Sequence, residues 1–193
     1  IAPNGSVTHE ISPSSDSGLV LLPSGGVYTV EIDGLGEAVG SYGFRILNVA
    51  DQPLTALDVD VSGTLAPGLS AAAYRFNGAA NLRLYFDSLA PASLAYWRLF
   101  GPGGQDLDTR SASADFERTL SSAGEFVLIL GGGDAGGSTP YSFRIITPLI
   151  TTSALALNTD TLGTIDEKGE IDTYTFAGTL GQRIVFDSLS NDN

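Results

Sequence analysis

Two stretches decide the fold: Leu82-Arg83-Leu84-Tyr85-Phe86-Asp87-Ser88-Leu89 and, one hundred positions further on, Gln182-Arg183-Ile184-Val185-Phe186-Asp187-Ser188-Leu189. The last four residues are identical in the two, and Arg83 recurs as Arg183. Working outward at the same offset, Gly63-Thr64 falls on Gly163-Thr164, Tyr74 and Phe76 on Tyr174 and Phe176, and Gly78 on Gly178. Upstream, Ala56, Leu57 and Asp60 match Ala156, Leu157 and Asp160. Between 56 and 89 this makes 13 identities in 34 positions. A fixed internal period is read before any local motif, because it sets the architecture.

Slipping the offset by a residue or two brings in the remainder. Tyr42-Gly43-Phe44-Arg45-Ile46 matches Tyr141-Ser142-Phe143-Arg144-Ile145, and Gly26-Val27-Tyr28-Thr29-Val30 matches Gly124-Glu125-Phe126-Val127-Leu128. The expected organisation is therefore a C-terminal half-unit at 1–49, a complete unit at 50–149 and an N-terminal half-unit at 150–193. Asn193 aligns with Ser93 and Ile1 with about Leu99, so joining the ends would omit only about five residues. The chain reads as a processed product or a window on a longer polypeptide. The two half-units are expected to complete one sandwich, in cis or between subunits.

Within the unit the signals are those of strands. Leu82 to Phe86, Tyr96 to Phe100, Glu125 to Leu130 and Tyr141 to Ile146 are rich in β-formers and bounded by Gly, Pro, Asp and Ser, as are Tyr74 to Phe76 and Tyr174 to Phe176. Short strands with a turn signal every 8 to 12 residues predict an all-β fold of tandem antiparallel, jelly-roll-like sandwich units of about 100 residues. The stretches 66–73 and 113–119 are read as loop or a single helical turn, and 131–136 as a hairpin loop. Six of the nine Phe fall in repeat pairs, 44 with 143, 76 with 176 and 86 with 186. That recurrence predicts core positions.

Composition excludes several classes. Asp and Glu number 22 against nine Lys and Arg, Lys168 being the one lysine, for a net charge of -13. Such a surface repels phosphate backbones, which argues against nucleic-acid binding. No apolar run approaches the length of a membrane span. With no Cys, disulfide frameworks, thiol nucleophiles and Cys-ligated zinc are impossible.

The segment Gly163-Thr164-Ile165-Asp166-Glu167-Lys168-Gly169-Glu170-Ile171-Asp172-Thr173-Tyr174-Thr175-Phe176, followed by Gly178 and Gly181-Gln182-Arg183, resembles the opening of bacterial pre-peptidase C-terminal (PPC) domains. Later features of that pattern lie at Pro102-Gly103-Gly104 and Pro3-Asn4-Gly5, and at Gly26 to Val30 and Gly124 to Leu128. The resemblance implies a jelly-roll β-sandwich exported by bacteria, in tandem on surface proteins or trailing secreted peptidases. It also implies calcium at Asp166, Glu170 and Asp172, although the preceding unit carries Ala66, Ser70 and Ala72 in their places.

Catalytic constellations are not evident, and the protein is expected not to be an enzyme or to require a cofactor. His9 is the single histidine and has no nearby partner suggesting a triad. Gly131-Gly132-Gly133-Asp134-Ala135-Gly136 fits a phosphate-loop spacing but no helix pattern follows it. Asp58, Asp60 and Ser62 read as the polar face of a strand, and the recurring Asp87 and Asp187 as turn or strand-end caps.

A half-unit of 44 or 49 residues is near the lower limit for holding a core and leaves strand edges open. Completion between successive subunits is heterologous association, which gives open filaments. The expected function is a structural repeat module of a secreted bacterial fibre, sheath or adhesin stalk at the cell surface, its partners being other copies or adjacent repeats. The alternative is a non-catalytic accessory module of a secreted hydrolase or adhesin that binds polysaccharide or protein, using an exposed aromatic such as Tyr96 or Trp97.

Overall fold

The computed structural model describes residues 1–11, 16–34, 36–37, 39–89, 95–133 and 137–189. The chain divides into two units, Ile1–Thr147 and Pro148–Asn193.

The first unit contains eight strands: β1 (Asp60–Leu65), β2 (Ala71–Gly78), β3 (Arg83–Ser88), β4 (Ala95–Phe100), β5 (Asp106–Ser111), β6 (Phe116–Thr119), β7 (Gly124–Gly132) and β8 (Thr139–Ile146). They form two four-stranded sheets, in the orders β1-β8-β3-β6 and β2-β7-β4-β5, with every pairing antiparallel. Of the seven connections only β4 to β5 stays within a sheet; the other six cross between sheets. This is the jelly-roll arrangement, the all-β sandwich expected from the strand pattern. No α-helix occurs among the described residues; one 3-10 turn spans Val49–Asp51, its Ala50 amide capped by the Asn48 side chain at 3.3 Å.

Period-two alternation decides which side chains enter the space between the sheets. In β7, Phe126, Leu128 and Leu130 point into it, while Val127 faces the opposite way. The interior is mainly aromatic: Phe76, Phe86, Phe126, Phe143 and Trp97 are all 1% exposed or less. Phe86 and Phe116 stack at 4.4 Å, and Trp97 meets Phe116 and Phe143 edge-on at 5.8 and 5.9 Å. Such pairs add roughly 0.5–1.5 kcal/mol each beyond the burial of their area. Cross-strand ion pairs Arg75–Glu125 and Arg83–Glu117 lie on outer faces, where solvent limits their contribution.

Three local expectations are corrected. The stretch 66–73 already includes the start of β2, and 113–119 includes β6 instead of a helical turn. The 131–136 segment does not close a hairpin, because β7 and β8 belong to opposite sheets; residues 134–136 lie outside the described residues. Turn chemistry marks where a strand ends, yet a sheet-to-sheet arch and a hairpin use the same Gly-rich signals. Asp87, the last residue but one of β3, stands opposite Arg144 of β8 and is buried.

The described residues of 1–49 contribute no strand to these sheets. Leu19, Leu47 and Val49 pack on Ala73, Phe100 and Val127, a small cluster on the outward face of the β2-β7-β4-β5 sheet. The segment nonetheless repeats backbone details of the sandwich. The Pro102 turn is closed by Gly101 N–H to Gln105 O at 2.9 Å and Gly104 N–H to Gly101 O at 2.8 Å; the Pro3 turn is closed by Ala2 N–H to Ser6 O at 2.8 Å and Gly5 N–H to Ala2 O at 2.9 Å. A Cβ on Gly124 would stand 2.6 Å from Pro102 Cγ, and one on Gly26 would stand 2.6 Å from Pro3 Cγ.

The second unit holds β9 (Ile150–Ala154) and β10 (Ile171–Thr175), which pair in parallel, with Ala154 opposite Thr175. The same pairing occurs one hundred residues earlier as a parallel bridge between Leu54 and Arg75. Thr55 N–H donates to Arg75 O at 2.8 Å there, and Leu155 N–H to Thr175 O at 2.7 Å here. Parallel contact was not expected from a pattern read as purely antiparallel. It arises because the lead-in segment runs alongside the outer edge of the strand it precedes.

Candidate functional site

The repeat-paired aromatics fall into two environments. Phe76, Phe86 and Phe143 are the closed core of the sandwich, at 0, 0 and 1% exposure. Their counterparts Phe176, Phe186 and Phe44 are 42, 94 and 61% exposed. The expected burial is met at Phe76, Phe86 and Phe143 and not at Phe176, Phe186 and Phe44. A phenylalanine ring costs free energy in water in proportion to its apolar area. Exposed apolar residues concentrated in two segments mark surfaces that gain from being covered.

One surface is the stretch 42–46. Tyr42, Phe44 and Ile46 are 69, 61 and 71% exposed, and the Tyr42 and Phe44 rings stack at 6.4 Å. Between them Arg45 donates from Nη2 to Ala71 O at 2.5 Å. The second surface lies in the other unit and includes Leu162, Ile184, Val185 and Phe186, all more than half exposed. Asp160 and Asp187 are also exposed there. Sequence reasoning singled out the recurring Phe positions but not Tyr42, Arg45 or Asp160 as members of a surface. The available signal was the joint recurrence of Arg45 with Arg144 and of Asp160 with Asp60.

A phenol pair shows what such a strand meets inside a finished sandwich. Tyr141 of β8 stands over Gly63 of β1, in the space a Cβ would fill, and its hydroxyl is 2.6 Å from that of Tyr74. Burial, then the bond to Tyr141, raises the Tyr74 phenol above its ordinary value. In the second unit Gly163 repeats Gly63, and the hydroxyl of Tyr174 lies 2.6 Å from the point where its Cβ would stand.

The residues expected to hold calcium are brought together only in part. Glu170 Oε2 accepts from the Asp166 and Glu167 amides at 2.8 and 3.1 Å, so that carboxylate shapes the loop. Asp172 lies on β10, where Oδ1 accepts from the Thr151 hydroxyl. Among the described residues no three acidic or histidine side chains are grouped to hold a metal ion.

The residues considered for other chemistry stand apart. His9 is exposed. Trp97 is 1% exposed and its Nε1 donates to Ser111 O at 2.8 Å. Tyr96 is half-buried, its hydroxyl donates to Asp16 Oδ2 at 2.7 Å, and burial raises that phenol also. Neither ring is a free aromatic platform. Among the described residues no helix is long and apolar enough to cross a membrane.

The first unit is an eight-stranded jelly-roll sandwich, and both units carry exposed apolar segments outside the strands. No family model matches the chain, and no curated protein matches it. Among solved structures it is similar to PliG of Aeromonas hydrophila, a periplasmic lysozyme inhibitor of g-type lysozyme, at 16% identity over 49% of this chain and 93% of that one, with a TM-score of 0.43. It is similar to the pre-peptidase C-terminal domain of collagenase from Bacillus anthracis at 17% identity over 49% and 94%, with a TM-score of 0.40. The PliG of Salmonella Typhimurium stands at 21% identity, 49% and 97%, and 0.38. At these values the likenesses carry no argument about activity or partners.

Proposed function

We propose that the chain is a non-catalytic structural module of a secreted bacterial fibre, sheath or adhesin stalk, assembled from tandem jelly-roll units in which one unit's exposed strands are completed by another's. The observation that carries this reading is the split of the repeat pairs: Phe86 is 0% exposed and Phe186 is 94% exposed, in identical Phe-Asp-Ser-Leu contexts. The matched turns at Pro3 and Pro102 support it, because the incomplete segments keep the local backbone of a finished sandwich. An acidic, lysine-poor composition and the resemblance to PPC domains support an extracellular setting.

Sedimentation velocity over a dilution series tests the reading. Association that grows with concentration, with less dye-accessible apolar surface in the associated state, is the expected result. A chain that remains monomeric at every concentration with its apolar surface unchanged overturns it.

A second reading is a non-catalytic accessory module of a secreted hydrolase or adhesin that docks on a protein or polysaccharide. The exposed, stacked Tyr42 and Phe44 rings favour it. Under that reading Tyr42→Ala and Phe44→Ala abolish ligand binding and leave the association state of the free chain unchanged.

A further inference from the structure

The sandwich itself supplies a template for how an open unit is closed. Strand β8 lies between β1 and β3. Its Arg144 stands opposite Asp60 on one side and Asp87 on the other, its Tyr141 opposite Gly63, and its Ile145 opposite Phe86. The sequence repeat carries every one of these residues to a second place. Tyr42, Phe44, Arg45 and Ile46 repeat Tyr141, Phe143, Arg144 and Ile145; Asp160 and Gly163 repeat Asp60 and Gly63; Phe186 and Asp187 repeat Phe86 and Asp87.

Resting on the reading above, we propose that residues 42–47 of one molecule insert as a strand between 160–163 and 185–188 of a second copy, with Arg45 between Asp160 and Asp187. Three independent features of the chain fit this register. Tyr42, Phe44 and Ile46 alternate as one exposed apolar row, as a strand filling a sandwich requires. Neither 160–165 nor 183–188 lies in a strand ladder, so both retain backbone groups to offer to an added strand. The charges are complementary: Arg45 brings one cation to two carboxylates, and none of the ion pairs among the described residues involves Arg45, Asp160 or Asp187.

The phenol geometry adds a steric key. Tyr141 fills the space above Gly63, and in the second unit the Tyr174 hydroxyl, 2.6 Å from where a Cβ on Gly163 would stand, holds the matching space. Entry of Tyr42 in this register requires Tyr174 to turn off Gly163, after which the two hydroxyls pair as those of Tyr141 and Tyr74 do. Donor and acceptor segments are both carried by every molecule, so the contact is heterologous and propagates head to tail.

Charge reversal tests the register. The variants Arg45→Glu and Asp160→Arg/Asp187→Arg alter exposed side chains, and unchanged Trp97 fluorescence verifies that the sandwich remains folded. Each variant alone is expected to associate at least about thirtyfold more weakly than the parent, because like charges then face each other across the paired strands. An equimolar mixture of the two restores association to the parental level, since every contact in an alternating assembly is again complementary. Association indifferent to both reversals, or not restored by mixing, overturns this register while leaving the assembly reading standing. A parent chain that never associates overturns both. The chain has no native cysteine, so oxidation of the Ile46→Cys/Phe186→Cys variant identifies the occupant: a disulfide-linked ladder supports a second copy, and a monomer with an internal disulfide overturns it.

Discussion

Pro102 occupies the space in which a Cβ on Gly124 would stand, 2.6 Å from that point, and Gly124 itself holds a φ of +147°. Both the turn entering β5 and the start of β7 depend on this contact. Gly124→Ala is expected to destabilise the sandwich by about 1–3 kcal/mol through backbone strain alone, with the proline clash in addition. Gly25→Ala, where nothing lies within 4 Å, is expected to change stability by less than about 0.5 kcal/mol. Urea unfolding of the two variants, compared with the parent, measures the difference.

Trp97 bridges Phe116 and Phe143 and satisfies its indole N–H on Ser111 O. Its truncation to alanine leaves a large cavity and is expected to cost about 3–5 kcal/mol. Because it is the single tryptophan, emission is expected to be blue-shifted in the folded chain and to move to the red in one step on unfolding. An accessible indole, quenched by iodide in the native chain, would contradict this placement.

The phenol of Tyr74 gives the sandwich a base-sensitive element. Its folded-state value lies above the ordinary 10.0 because burial and the Tyr141 hydroxyl disfavour the phenolate. The unfolded chain therefore releases this proton first, so the contribution to stability is complete below pH 10.0 and declines as pH rises beyond it. Tyr74→Phe is expected to flatten that decline. Urea midpoints measured across the alkaline range, parent against variant, provide the check.

The strand content and the core aromatics of the sandwich were legible because period-two alternation and burial report the same thing when both faces are closed. Phe76, Phe86 and Phe143 fall into place on that basis. What sequence could not supply was the sheet to which each strand belongs. The loop after β7 has the glycines of a hairpin yet spans between sheets, since pairing in a jelly roll is set by contacts distant in the chain. The surface formed by Tyr42, Arg45 and Ile46 was obscured for a related reason. Under the proposed completion, a residue's repeat partner reports what it is shaped to contact, whereas its exposure depends on whether the contacting strand is present.

That distinction yields the sharpest comparison, between Phe86 and Phe186. Phe86 packs between Phe76 and Phe116 and has no exposed surface, so Phe86→Ala is expected to cost about 3–5 kcal/mol in unfolding free energy. Phe186 is 94% exposed, and its truncation removes almost no packing from the isolated chain. Phe186→Ala is therefore expected to leave the monomer's unfolding midpoint within about 0.5 kcal/mol of the parent. If Phe186 is covered by Ile46 of another copy, as Phe86 is flanked by Ile145, the same substitution must weaken association. The two effects separate cleanly: unfolding followed at high dilution reads the first, and sedimentation at high concentration reads the second. Phe186→Ala with parental association would show that its exposure is not relieved by assembly.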